Sequence, residues 1–312
     1  MALPKIISRL HRIFTAPKRS SLSGFTLLEL LVAMIISSIV VSGLLYLVVE
    51  LLKTDRRETV LDQTQRDMQR AIDYISDDIR EAVYIYSTPT TVTSQLTDLP
   101  TSAGIPVLAF WRPDPVEAPP QNCNTFGAAS TPRFRECEVL QIRQSAYSLV
   151  VYLQKPKDTN ANWLGKSRIV RYKLDKYSNI STLASTTGYR DPAIDSNFSG
   201  WTRSGLSTNG VSTILTDFVD YDASASPADP ASCASLGPSY VMVPSTASAS
   251  KRTFFACIRN PDESRNQDAY LFLRGNIDGA GGGFGPIGRD SALPVLQTRV
   301  MMRGVVDKNP AN

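Results

Sequence analysis

Histidine is nearly missing: His11 is the only one in 312 residues. A Ser-His-Asp or Cys-His constellation, a His-based zinc site and an H-E-x-x-H protease motif all need imidazole, so most hydrolase mechanisms are excluded. No C-x-x-C pair occurs, which argues against a zinc ribbon or a thioredoxin-like redox site. The glycine-rich run 279–285 lacks the Lys and the Ser or Thr of a phosphate loop and reads as a flexible loop. Asp262, Glu263, Asp268 and Asp278 stand near turn signals but without EF-hand spacing, so no metal site is assigned. The adjacent carboxylates Asp77 and Asp78 read as a solvated helix face rather than a glycosidase pair. Asp191, Asp195, Asp217, Asp220 and Asp222 are too dispersed to nominate one. No cofactor and no enzymatic activity are expected.

Acidic residues are absent before Gly24, where Lys5, Arg9, Arg12, Lys18 and Arg19 lie. Taking these five from the 33 Lys and Arg leaves 28 against 29 Asp and Glu. The remainder therefore has no global pull toward nucleic acid. Charge is absent again from residue 30 to residue 49. As a helix rising about 1.5 Å per residue, those residues would span a hydrocarbon core of ~30 Å. Glu29 stands at the head of this run, where a carboxylate is expensive to bury unless something pairs with it.

Proline is absent between Pro17 and Pro89, which permits one helix from about residue 25 to residue 83, about 90 Å long. Its first half, 25–52, is apolar all round and belongs in lipid or a helical bundle. In its second half, 53–86, Val60, Leu61, Thr64, Met68, Ala71, Ile72, Ile75, Ile79, Ala82 and Val83 recur in steps of three and four between charges. That stripe predicts packing against a globular domain.

Beyond residue 86 strand patterns dominate. Strands are expected at 105–111, 138–144 paired with 147–154, 167–174, 211–221, 253–258, 269–274 and 295–306. The Ala-, Ser- and Pro-rich residues 222–250 read as an extended loop. Trp111, inside a strand pattern, is expected in the core. Trp163 and Trp201, in polar, Gly-flanked contexts, are the better candidates for exposed contact with sugar rings. The fold class is α+β: one long N-terminal helix packed on a mainly antiparallel β-sheet.

Four cysteines, Cys123, Cys137, Cys233 and Cys257, all fall in residues 87–312. An even count is compatible with disulfides in an oxidising compartment. Three pairings are open alongside buried free thiols; among the pairings, neighbours in sequence (Cys123 with Cys137, Cys233 with Cys257) are preferred.

The order of basic segment, Gly24, Phe25-Thr26-Leu27-Leu28-Glu29 and apolar run resembles the type IV prepilin motif. The resemblance implies a leader of residues 1–24 removed by a prepilin peptidase after Gly24, and N-methylation of the new terminus at Phe25. It also implies that Glu29 engages the N-terminal amine of a neighbouring subunit. The implied fold is type IV pilin-like, with residues 87–312 as a β-rich periplasmic domain on a single-pass inner-membrane helix. Implied partners are other pilins or pseudopilins, met through the helix, and the inner-membrane assembly platform. Positive charge does not choose the orientation, because Lys53, Arg56, Arg57, Arg66 and Arg70 balance the five leader cations. Many major pilins carry a proline inside the apolar half, and this chain has none there. AIDYISDDIREAVYIY at 71–86 and IPVLAFWRP at 105–113 are similar to minor pilins and pseudopilins with a large globular domain. They most resemble the pseudopilins linked to hormogonium polysaccharide secretion in filamentous cyanobacteria, which implies exported polysaccharide as cargo. The alternatives are a minor pilin of a motility or DNA-uptake pilus and a membrane-anchored carbohydrate-binding module.

Overall fold

A computed structural model describes residues 24–99, 104–159, 162–193, 198–221, 233–244, 253–260, 267–277 and 292–302. The basic segment 1–23, the glycine-rich run 279–285, and Asp195, Asp222, Asp262, Glu263 and Asp278 lie outside the described residues. The chain divides into two compact units, Met1–Lys53 and Thr54–Asn312. Helix α1 (Leu27–Arg80) is a single element of 54 residues. In the first unit its described side chains are exposed on every side. In the second, Thr64, Met68, Ala71, Ile72, Ile75, Ser76, Asp78 and Ile79 form one buried stripe, the three-and-four spacing that brings residues to one helix face.

The second unit continues through β1 (Tyr84–Ile85), α2 (Thr90–Thr93), β2 (Ile105–Pro115), α3 (Pro132–Arg143), β3 (Ser145–Pro156) and β4 (Ser167–Leu174). The small hairpin β5 (Tyr177–Asn179) and β6 (Ala184–Ser185) follows, then β7 (Val211–Val219), β8 (Tyr240–Val243), β9 (Phe254–Arg259), β10 (Asp268–Asn276) and β11 (Ala292–Met301). The main sheet runs β1-β2-β3-β4-β7-β10-β9-β8, with β11 also on β10, and its strand pairs are antiparallel. The α+β architecture is therefore the one the sequence pattern predicts.

Alternation along the strands fills two layers. Phe110, Val150, Tyr152 and Ile169 pack with the α1 stripe, joined by Phe254, Ala256, Leu271 and Leu273. The intervening Ala109, Trp111, Leu149 and Val151 face the other way, under Tyr86, Val92, Leu96, Tyr189 and Trp201. β7 meets β10 only where Val219 pairs with Gly275. A Cβ on Gly275 would lie 2.8 Å from Leu293 Cδ1 and 2.9 Å from Met68 Cγ, so the crossing needs glycine. At the opposite end the Gln267 side chain completes β1: Ile85 N donates to its Oε1 at 3.0 Å, and its Nε2 donates to Ile85 O at 2.9 Å.

Three expectations are corrected. Residues 138–144 are not a strand: α3 covers them up to Arg143, and β3 pairs with β2 and β4 instead. The Thr131 side chain accepts from Phe134 N at 3.3 Å, Pro132 starts the helix, and Gln144 ends it in the left-handed region at φ 49°. Residues 222–250 are not loop throughout, since β8 adds Tyr240–Val243 to the edge of β9. Trp201 is buried at 6 % exposure, its Nε1 donating to Arg190 O at 2.8 Å, whereas Trp163 is half-buried beneath the Arg168 guanidinium. Trp111 is fully buried and donates to Tyr86 Oη at 3.0 Å.

Cys123 is bonded to Cys137 and Cys233 to Cys257, with Cα atoms 5.6 and 5.5 Å apart. The first bond ties the 3-10 turn Cys123–Phe126 to α3, and the second ties the turn Cys233–Leu236 to β9. Replacing both Cys123 and Cys137 by serine should lower the free energy of unfolding by about 3 kcal/mol, the loop-closure value for so short a ring. Urea titration followed by circular dichroism checks this.

Candidate assembly site

The start of α1 is a capped helix end. Thr26 Oγ1 accepts from Glu29 N at 3.2 Å, and Leu30 N donates to Thr26 O at 3.2 Å. Thr26 and Glu29 thus occupy the N-cap and third helical positions of a Thr-x-x-Glu capping sequence. Glu29 also sits where the helix dipole favours a carboxylate. It is exposed, and no cation among the described residues pairs with it.

Phe25 precedes this cap at 81 % exposure, and Leu27 follows it at 90 %. From there to Leu52 every large apolar side chain of α1 is exposed. An all-apolar helix surface of this length is stable only when lipid or other helices cover it. Two hydroxyls inside the run are satisfied within the helix: Ser38 Oγ donates to Ile35 O at 2.8 Å and Ser42 Oγ to Ser38 O at 2.7 Å. These two hydroxyls are therefore not left unmet in a membrane interior.

Residues 19–45 match the Prokaryotic N-terminal methylation motif. This motif, with the long apolar helix, supports a type IV pilin-like protein and single-pass anchoring in a membrane. It implies processing by prepilin peptidase and assembly with other pilins, and it points to a structural subunit rather than an enzyme. No curated protein and no solved structure matches the chain.

A second cluster fixes α1 to the sheet, and it corrects the reading of Asp77 and Asp78 as one solvated pair. Asp77 is exposed and pairs with Arg80 at 2.8 Å. Asp78 is buried, with 6 % of its side chain exposed. Arg112 Nη1 on β2 donates to its Oδ1 at 2.5 Å, while Arg171 Nε on β4 and Tyr152 Oη on β3 donate to its Oδ2 at 2.7 and 2.5 Å. Burial pushes the Tyr152 phenol far above its usual range, and the Asp78 charge adds to the effect, so the phenol stays a donor. Burial disfavours the Arg171 cation, but the Asp78 hydrogen bond and charge more than offset it. Next in the row, burial would raise the Asp114 carboxyl, yet Lys173, Ser148 and Arg112 together hold it below the ordinary carboxylate range.

The other carboxylates are also tied into the fold. Asp191 meets Lys176 at 3.1 Å, and Asp217 accepts from the Leu164 and Gly165 amides. Asp220 accepts from Arg274 Nε at 2.7 Å and Asn276 Nδ2 at 2.6 Å. Asp268 is held by Arg259, Arg299 and Tyr240. Among the described residues no group of three or more His, Cys, Asp and Glu could hold a metal ion.

Removing Asp78 leaves two partly buried guanidinium groups without their shared partner. Asp78→Ala should cost about 3–5 kcal/mol, whereas Asp77→Ala should leave the transition where it is. Thermal unfolding of the two variants side by side checks this.

Proposed function

We propose that the protein is a minor pseudopilin, a structural subunit of a type IV pilus-like or type II secretion-like filament serving polysaccharide export. The observation that carries the filament reading is the apolar, fully exposed first half of α1 headed by Glu29, with which no cation among the described residues pairs, within the matched motif. The peptidase cuts after Gly24, and Phe25 becomes the N-methylated terminus. In a low-dielectric bundle Glu29 needs a counter-charge, and the terminal amine of the next subunit supplies it. That pair sets the axial register, while the small positions Ser37, Ser38, Ser42 and Gly43 let neighbouring helices approach.

The second unit lies in the periplasm, where an oxidising environment suits its two disulfides. It does no covalent chemistry; the assembly platform and its ATPase supply the work. The polysaccharide assignment rests on the resemblance at residues 71–86 and 105–113. A deletion strain should lose polysaccharide release and keep twitching. Loss of twitching with normal release would instead assign the subunit to a motility pilus.

The mass of the N-terminal peptide, taken from cells with and without prepilin peptidase, tests processing directly. A peptide starting at N-methylated Phe25, lost with the peptidase, is expected; an unprocessed chain would reduce α1 to an ordinary anchor. Glu29→Val should be cleaved normally yet fail to enter filaments, as read by shearing and fractionation. Incorporation at the wild-type level would remove Glu29 from the amine-pairing role.

A further inference from the structure

The second unit holds a reactive pair of residues that the filament reading does not use. Asn209 is followed by Gly210, and the two lie just before β7. The Asn209 side chain is exposed, and no hydrogen bond among the described residues engages its carboxamide. Its carbonyl carbon is an electrophile, and attack on it by the Gly210 amide nitrogen closes a five-membered ring. A side chain on the following residue hinders that approach. Here the following residue has none and has to stay glycine, since a Cβ on it would lie 2.3 Å from Tyr172 Cζ and 2.7 Å from Lys173 O.

An amide nitrogen is a poor nucleophile while it keeps its proton. Gly210 N donates to Asp98 Oδ2 at 2.5 Å, so a carboxylate already holds the proton that has to leave. Hydrogen-bond reach of that proton is the geometric requirement for a general base. The N–H bond lies in the peptide plane, so Asp98 does not use the faces of the nitrogen, where a carbon has to approach.

The fold sets the base in place. Tyr172 Oη donates to Asp98 Oδ1 at 2.8 Å, and Thr208 Oγ1 donates to the same oxygen. Both take Oδ1, which leaves Oδ2 to the Gly210 amide. Thr97 N donates to Thr208 Oγ1 at 2.8 Å, and Thr208 N returns a bond to Thr97 Oγ1 at 2.9 Å. This clasp joins residues 97–98 to 208–210, bringing together a base and an amide 112 residues apart in sequence. Asp98 and Asn209 are both exposed, so water reaches them.

We propose that Asn209 is a self-modification site, at which Asp98 acts as general base for deamidation through a succinimide. Gly210 N bonds to Asn209 Cγ while Asp98 accepts the amide proton. The proton passes to the side-chain nitrogen, the Cγ–Nδ2 bond breaks and ammonia leaves. Water then opens the ring to aspartate or isoaspartate. Either product places a new carboxylate beside Asp98, where like charges repel, and isoaspartate also lengthens the main chain by a methylene. The reaction therefore loosens the clasp and marks the age of the folded chain irreversibly. It is independent of prepilin processing and of any filament.

The test incubates the purified full chain in detergent micelles at neutral pH. The mass of the peptide containing residues 209 and 210 reports conversion, and enzymatic methyl esterification reports isoaspartate. Conversion in the folded chain should run at least about tenfold faster than in the same chain unfolded in urea, because only the fold supplies the base. Asp98→Asn keeps an acceptor for the Gly210 amide but no base, and should slow conversion about tenfold with folding checked by circular dichroism. Tyr172→Phe removes a donor from Asp98 and leaves the carboxylate, so conversion should continue at the wild-type rate or above. If Asp98→Asn does not fold, the folded and unfolded wild-type rates decide. An unchanged peptide mass, or a folded chain that converts more slowly than the unfolded one, would overturn the proposal. So would a folded Asp98→Asn variant that converts at the wild-type rate, or Tyr172→Phe slowed as much as Asp98→Asn.

Discussion

Apolar side chains project from α1 on every side between Leu27 and Leu52. Burying a leucine or isoleucine is worth roughly 1.5–3 kcal/mol relative to leaving it in water, a difference that no cap or ion pair nearby could offset over so many residues. This surface has to be covered by lipid, by other helices, or by each in turn. That requirement makes Glu29 informative. A carboxylate at the head of such a surface is tolerable in the exposed state, because the helix end favours it, and becomes a demand for a cation once neighbouring helices close in.

Further along the same helix the problem is reversed, because the stripe from Thr64 to Ile79 has to find one orientation on a sheet. Ile72, Ile75 and Ile79 bury their side chains in the core, but a stripe of methyl groups tolerates small rotations. A carboxylate gripped from three strands does not: Asp78 is satisfied only when Arg112, Tyr152 and Arg171 all reach it. The helix stripe and the ionic grip thus divide the work between adhesion and alignment.

Elements with a strong, unshared period were legible in the sequence. The long helix followed from an unbroken absence of proline and a run without charge, and β4 was expected at 167–174, the range it occupies. α3 was not legible as a helix, because Glu138-Val139-Leu140-Gln141-Ile142-Arg143 satisfies a strand alternation as well as a helical one. The deciding groups, the Thr131 cap and the Cys137–Leu140 spacing, lie partly outside that window. Asp78 could have been found: Ala71, Ile75, Asp78 and Ala82 follow steps of four, three and four, which puts the carboxylate on the buried face. Its partners could not, since Arg112 and Arg171 are 34 and 93 residues away. The Gln267 contact with β1 spans 182 residues and leaves no local trace. At the N-terminus the reverse holds, because the motif is a local order of residues, and what the structure adds is the cap and the exposure.

The two disulfides join each cysteine to the next one along the chain, closing rings with sequence separations of 14 and 24. Neither bond has to wait for a distant strand. For a chain that emerges N-terminus first, the Cys123–Cys137 ring can be complete before Cys233 emerges, so a wrong partner is never present when the right one arrives. Of the three conceivable connectivities, this is the one that emergence in chain order selects without an isomerase.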